Sequence, residues 1–426
     1  MDIAIIGVGR IGLVAACCLA EAGHRVTGVE TDPAKLSSLN CGSHLYEKGL
    51  QSLLERSLAS GRLALVHELP RPLQAEVVMI TVNTPCPAGE FDLTNVHAAV
   101  KQVCEVARDP LVMVMKSTVP PGTGVEMVSQ YLKGTPVTYV ANPEFLRAGC
   151  AVDDWYHPSR IVIGADSPQA AARVRRLYEG IQAPIIETDI TSAELIKHAA
   201  NAYLTLKVSF INEVASLCQL LGADIDAVRQ GLGLDPRIGT AFLQPGIGYG
   251  GPCLPKDARA LVSLASRQGY DFKLIKAALE VNARQPVLVV DRMKEMLGTL
   301  KGKEVALLGL AFKPGTDDVT ESPALELARL LIEGGARLRA YDPAAMPNAR
   351  PLLTGGVTFA GDLYSAAQGA CALILATEWP ELIQADWHKI KKAMAEPYLV
   401  IDGRNALSRE KLTAAGFSYM GVGLKI

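Results

Sequence analysis

The sequence predicts an α/β protein: two Rossmann-like, doubly wound domains joined by a central helical region that contains one long helix. Three observations carry this prediction. Short apolar runs alternate with helical stretches through the first third, an unusually long helical stretch follows from Thr191, and the strand–loop–helix–strand alternation returns after residue 301. Such alternation is the pattern of a parallel sheet covered by helices. With 426 residues, 49% of them apolar and 20% charged, the chain is too long for one core and has ample material for buried sheets. The expected division is a cofactor domain over residues 1–190, a helical middle over 191–300 and a second α/β domain over 301–426.

In chain order, "DIAIIG", "RVTGVE", "EVVMITV", "LVMVMKS" and "VTYVA" read as strands. After the first of them, "GVGRIG" forms a glycine loop at the mouth of a helix, running from Gly7 through Val8, Gly9, Arg10 and Ile11 to Gly12. Gly7 permits the tight turn, Gly9 lets a pyrophosphate approach the backbone, and Gly12 lets helix and strand pack closely. The helix N-terminus then offers N–H groups to the phosphates. The next strand ends at Glu30, near the spacing of a ribose-binding acid. Glu30 and Asp32 would repel a 2′-phosphate, which favours NAD over NADP. Lys35 is either a solvated helix charge or a contact to the adenosine end. Thr84 in "NTPCP" and Thr118 in "KSTVPPGTG" fall where strands of such a sheet end, near the expected nicotinamide; each also suits a turn or helix cap.

"TSAELIKHAANAYLTLKVSFINEVASLCQLLG" then reads as the long helix, with Thr191 and Glu194 as a capping box and Gly222 as its stop. Lys197 and Asn201 lie four residues apart and project from one face of a mostly apolar stretch, a costly placement unless both have partners. Either Lys197 snorkels and Asn201 bonds locally, or both serve a site. Helices are expected around residues 255–268 and 273–297, the second kinked at Pro286. Just before the first of them, "GYGGPCLPKDARAL" sets Cys253 at a helix start, with Asp257 one turn further on. The helix dipole there favours a thiolate, and Gly250 and Gly251 are expected to let a substrate come close. A packed thiol is the competing reading of Cys253; the glycine frame and neighbouring charges favour a nucleophile. The other eight cysteines read as small packed hydrophobes.

A net charge of −2 gives no electrostatic reason to expect nucleic acid or an anionic membrane as partner. Nine scattered cysteines without CxxC spacing argue against a disulfide framework, and seven isolated histidines suggest no metal site. The chain opens on the strand "MDIAIIG", and its strand-forming apolar runs fall short of a membrane span, so a cytoplasmic setting is expected. NAD together with an activated thiol suggests oxidation of an aldehyde to an acid. The thiolate traps the aldehyde as a thiohemiacetal, hydride loss gives a thioester, and water hydrolyses it.

The motifs resemble the UDP-glucose/GDP-mannose dehydrogenase family along essentially the whole chain. The likeness runs from "IAIIGVGRIGL" through "NPEFLRAGCAVDDWYHPSRIVIG", "AELIKHAANAYLTLKVSFINE" and "GYGGPCLPKDARAL" to "LGLAFKPGTDDVTESPAL", "AYDP", "TEWPEL" and "IDGRN". The cysteine and long-helix motifs are specific in combination, whereas the glycine fingerprint alone is not. The resemblance implies an NAD-dependent, two-step oxidation of C6 of a sugar nucleotide, UDP-glucose to UDP-glucuronate. It implies Cys253 as nucleophile, Lys197 and Asn201 as oxyanion donors, and Asp257 with Thr118 and Glu144 as the groups that position and activate water. For the sugar nucleotide it implies Glu144, Phe145, Leu146 and Arg147, the loop Phe242, Leu243, Gln244, Pro245 and Gly246, then Gly250, Lys313 and Arg404. Lys197 and Asn201 also belong to that set. The second strand–loop–helix lacks the glycine fingerprint, which suits a nucleotide diphosphate better than a dinucleotide. Arg237 matches a family arginine that reaches the substrate of the neighbouring subunit, implying a homodimer. The chain departs from the family pattern at Ala148, where a second acid is usual, at Pro252, where a small polar residue is commoner, and at Thr320, where an arginine is typical. Another sugar nucleotide (a UDP-N-acetylhexosamine or GDP-mannose) remains an alternative substrate. A non-catalytic nucleotide sensor, which would need none of Cys253, Lys197, Asn201 and Asp257, is the alternative outside enzymes.

Overall fold

A computed structural model describes residues 1–41 and 47–424. The chain divides into two compact units, Met1–Ala200 and the remainder from Asn201, each with its own sheet. The first sheet contains β1 (Asp2–Ile6), β2 (Arg25–Val29), β3 (Leu63–Val66), β4 (Val77–Ile80), β5 (Leu111–Met115), β6 (Val137–Ala141), β7 (Ile161–Gly164) and β8 (Ile185–Thr188). Their spatial order is β3-β2-β1-β4-β5-β6-β7-β8, parallel throughout except between β6 and β7. The chain thus winds outward from β1 to β3 and restarts at β4. That leaves a switch point beyond the carboxyl ends of β1 and β4, where such sheets bind ligands.

Each strand feeds two cores because successive side chains point to opposite faces. Ile3, Ile5, Met79, Val112 and Val114 pack on one face, while Ala4, Ile6, Ile80, Met113 and Met115 pack on the other. Burying such side chains contributes roughly 1.5–3 kcal/mol each, so a strand covered on both sides reads as an unbroken apolar run. The five expected strands are present. β3, β7 and β8 add to them; the two outer ones, β3 and β8, are short and partly exposed, so their apolar signal is weak.

The second sheet contains β9 (Glu304–Leu308), β10 (Arg337–Tyr341), β11 (Val357–Phe359), β12 (Ala372–Leu375), β13 (Leu399–Asp402) and β14 (Ser418–Gly421). It is all-parallel, in the order β11-β10-β9-β12-β13-β14. This repeats the winding of the first six strands of the chain, with its own switch point between β9 and β12.

The long helix spans Ile190–Leu221 and stops at Gly222, whose φ of 73° takes the left-handed conformation. Its start corrects the expected capping box. Asp189 caps it, accepting from the Ser192 N–H at 2.8 Å. Glu194 instead turns away from its own helix and accepts from the N–H groups of Gly122 at 2.7 Å and Gly124 at 2.8 Å. By length and composition this helix passes as a membrane span. Its buried Glu194, Lys197, His198, Asn201 and Asn212 mark it as a helix packed in protein. The two further helices occupy Leu254–Arg267 and Lys273–Leu297, and the second continues through Pro286.

Candidate active site

At the first switch point the glycine loop has the geometry its spacing predicts. Gly7 has φ 94°, and a Cβ there would come within 3.1 Å of the Thr81 carbonyl group. A Cβ on Gly12 would collide with the Gly7 carbonyl oxygen. Thr81 fixes that carbonyl, donating to it at 2.7 Å. Gly9 is different: nothing lies within 4 Å of where its Cβ would stand, and no side chain caps the Arg10–Glu21 helix that begins beside it. An uncapped helix start beside open space is a cradle for phosphate, and the residues present therefore fit a dinucleotide. Glu30 closes β2 and accepts from the backbone N–H of Asp32 at 3.2 Å. It also pairs with Lys35, so the two expected adenosine-side residues form one unit. Thr84 and Thr118, beyond the ends of β4 and β5, are joined by a bond from the Thr84 hydroxyl to the Thr118 carbonyl at 2.8 Å.

Beyond β6 the "NPEF" turn carries Glu144. Its Oε1 accepts from Lys197 Nζ at 2.9 Å, a pair in which both side chains are less than a tenth exposed. Buried this deeply, either charge alone would be strongly unfavourable, so the pair explains how an ionised lysine sits on an apolar helix. Phe145 places its ring 5.3 Å from the same ammonium. The backbone N–H of Leu146 donates to Glu144 Oε2 at 2.6 Å and that of Arg147 to Asp154 at 2.7 Å. The Arg147 guanidinium also turns to Asp154, at 2.6 Å. Beside Ala148, Glu47 accepts from the N–H groups of Gly149 at 2.9 Å and Ala151 at 2.7 Å. Lys197, Glu194, Ser117 and Thr118 line one cavity of the first unit. Burial pushes the Glu194 carboxyl up to about 7, against the opposing pull of the Gly122 and Gly124 N–H groups.

In the second unit Cys253 is exposed at the N-cap position of the Leu254–Arg267 helix, whose side chains leave the N-terminus uncapped. One turn on, Asp257 is 1% exposed and is held from two sides, by Asn201 Nδ2 at 2.6 Å and Lys256 Nζ at 2.9 Å. The Asn201 amide therefore spends one of its N–H groups on Asp257. The glycines ahead of Cys253 also answer to packing within the second unit. A Cβ on Gly250 would strike the Glu321 carbonyl, and one on Gly251, at φ 90°, would lie 2.7 Å from the Phe312 ring. Upstream, Phe242 is a non-glycine residue at φ 63°, and Leu243 and Pro245 are buried. Gln244 donates to the Arg404 carbonyl at 3.0 Å, and the Gly246 N–H donates to Asn212 at 2.8 Å.

At the second switch point the N–H groups of the turn after β9 are taken by the chain itself. Asp342, fully buried after β10, accepts from the N–H groups of Leu310 at 2.7 Å and Ala311 at 3.0 Å. It also accepts from Ala344, Ala345 and the Trp379 indole. Leu310 and Ala311 follow β9 as Val8 and Gly9 follow β1, so a carboxylate sits where the first unit leaves room for phosphate. Sequence reasoning gave Asp342 no role; its place at the end of a second strand was the available signal. Arg404 donates to the carbonyls of Ala376 at 2.7 Å and Gly248 at 3.0 Å. Lys313 lies 5.9 Å from the Phe312 ring centre. Arg237 is exposed and pairs with Asp235 of its own chain at 2.6 Å.

Comparison with known proteins agrees with this geometry. Descriptions of the UDP-glucose/GDP-mannose dehydrogenase family match in three stretches: its NAD binding domain over residues 1–182, its central domain over 191–284 and its UDP binding domain over 306–409. The UDP-glucose 6-dehydrogenase TuaD of Bacillus subtilis is 43% identical over 99% of this chain and 93% of its own. A UDP-glucose dehydrogenase structure from Pyrobaculum islandicum superposes with a TM-score of 0.91 at 37% identity, covering 99% of this chain and 98% of that one. A UDP-D-ManNAc dehydrogenase structure from Pyrococcus horikoshii superposes at 0.89 with 29% identity, covering 99% of both.

Proposed function

Because the chain belongs to the UDP-glucose/GDP-mannose dehydrogenase family, we propose that it oxidises C6 of UDP-glucose twice, giving UDP-glucuronate through a covalent bond to Cys253. Membership makes it an NAD-dependent nucleotide-sugar dehydrogenase; the choice of sugar and the covalent route are our reading. NAD would supply the hydride acceptor, two molecules binding in turn and each taking one of the two hydrides that leave C6. Gly7 through Gly12, Glu30 with Lys35, and Thr84 with Thr118 hold it. In the second oxidation Cys253 Sγ adds to the aldehyde carbon and forms the C–S bond of a thiohemiacetal. Lys197 and Asn201 donate to the oxyanion, a service worth about 2.7–4 kcal/mol per donor. Loss of hydride leaves a thioester; water then cleaves its C–S bond, releasing the carboxylate and restoring the thiol. Asp257, with Thr118 and Glu144, positions and activates that water. Cys253 at the uncapped start of a helix is the observation that carries the proposal, because such a start favours a thiolate.

Phe145, Leu146, Arg147, the Phe242–Gly246 loop, Gly250, Lys313 and Arg404 hold the sugar nucleotide in this reading. The enzyme works as a homodimer, with Arg237 reaching the neighbouring subunit's substrate. In support, Tyr203, Phe210 and Leu217, 60%, 53% and 53% exposed, recur every seventh residue and make an apolar stripe on the long helix. A cytoplasmic setting accords with the scattered cysteines. The test is NADH formation with UDP-glucose, UDP-N-acetylglucosamine, UDP-N-acetylmannosamine and GDP-mannose. The expected result is a kcat/KM for UDP-glucose at least about tenfold above each rival; preference for an acetamido sugar or GDP-mannose would overturn the substrate assignment.

A further inference from the structure

We propose that Asn282 is a positioning residue for the nucleophile, acting through the backbone of the loop that precedes Cys253; the proposal rests on reading Cys253 as the nucleophile. Asn282 lies on the Lys273–Leu297 helix and binds both polar groups of one residue. Its Oδ1 accepts from the Tyr249 N–H at 2.8 Å, and its Nδ2 donates to the Tyr249 carbonyl at 3.0 Å. The side-chain amide thus does for Tyr249 what a neighbouring β-strand would do. The pattern requires one acceptor and one donor in a planar group, which a carboxylate or an apolar side chain cannot supply.

The surrounding chain is arranged to let this happen. Pro286, four residues on, has no N–H to return to the Asn282 carbonyl, so the helix is relieved of one internal bond at this turn. Gly248, at φ 107°, lies against that turn. A Cβ there would come within 2.9 Å of Asn282 Oδ1 and 3.4 Å of its carbonyl oxygen, so only glycine admits the approach. Further along, the Gly251 N–H donates to the Thr320 carbonyl at 2.8 Å. Tyr249 is therefore the midpoint of a tethered run that leads, two residues after Gly251, to Cys253. A displacement of about 1 Å at a reacting atom can cost on the order of a hundredfold in rate.

The full-length enzyme tests the proposal through Asn282→Leu and Asn282→Asp, each made in the wild-type and Cys253→Ser backgrounds. Asn282→Leu is expected to lower kcat by about ten- to hundredfold in the wild type, with NAD affinity unchanged. In the Cys253→Ser background it should change the residual rate by less than about twofold, because a residue acting through Cys253 has nothing left to position. Should Asn282→Leu fail to fold, Asn282→Asp carries the test. Its carboxylate repels the Tyr249 carbonyl when ionised but donates to it when protonated. Its kcat relative to wild type should therefore rise as pH is lowered from about 8 to about 5. Equal losses in both backgrounds, or a ratio that stays flat with pH, would overturn this proposal alone. Wild-type turnover in Cys253→Ser would overturn the reading of Cys253 and this proposal with it.

Discussion

Gly9 and Gly12 lie three residues apart and are glycines for opposite reasons. Gly12 has no room for a methyl group because the Gly7 carbonyl already occupies it, whereas Gly9 faces open space. Gly12→Ala should therefore cost about 1–3 kcal/mol of stability through overpacking. Gly9→Ala should leave the melting temperature unchanged and weaken NAD binding at least about tenfold by filling the cradle. Calorimetry with NAD titration separates the two; equal melting losses in both would contradict the assignment. These positions were legible in the sequence because a loop between a strand and a helix is a local matter. The position of Cys253 at a helix start was legible too, as was its contrast with Cys17 and Cys18, whose thiols burial pushes up to about 12; Cys41 and Cys150, expected to be packed, are exposed because they lie in surface turns. The packing around Gly250 and Gly251 was not, since the Glu321 carbonyl and Phe312 ring that exclude a side chain there come from some sixty to seventy residues away. Asn282 escaped for the same reason, although a proline four residues later was a local hint.

At the scale of elements, the long helix shows what periodicity gives and what it withholds. Its stop at Gly222 follows from backbone freedom alone. Its start was misread because Thr191 and Glu194 have the spacing of a capping box, while Asp189 competes for the cap and the Gly122 and Gly124 N–H groups compete for the Glu194 carboxylate. Long-range donors outbid a local motif. The stripe of Tyr203, Phe210 and Leu217 is an apolar part of this helix that its own chain leaves exposed. Phe210→Glu places a charge in that stripe, at a site 53% exposed in the single chain, so the fold should tolerate it. The expected outcome in sedimentation velocity is a dimer for the wild type and a monomer for the variant. A variant that sediments as the wild type does would place the interface elsewhere.

Across the whole molecule, two sheets of the same winding order serve different ends. Each second strand is followed by an acid, Glu30 after β2 and Asp342 after β10, and this likeness was readable from the alternation of strands and helices. The divergence was not. Glu30 turns to Asp32 and Lys35 and leaves the glycine loop open, whereas Asp342 takes the N–H groups of Leu310 and Ala311 for itself. With those N–H groups taken by a buried carboxylate, the turn after β9 lacks the donors that cradle a dinucleotide in the first unit. Equilibrium dialysis should accordingly find one NAD per chain; two would contradict the closed second cradle. Passage of the sugar beyond the aldehyde at Cys253 is the central chemical claim, and the number of NADH molecules formed per UDP-glucose consumed tests this most directly. It predicts two for the wild type, with formation of the acid stalled in Cys253→Ser. One NADH per sugar in the wild type, or undiminished acid from Cys253→Ser, would contradict it.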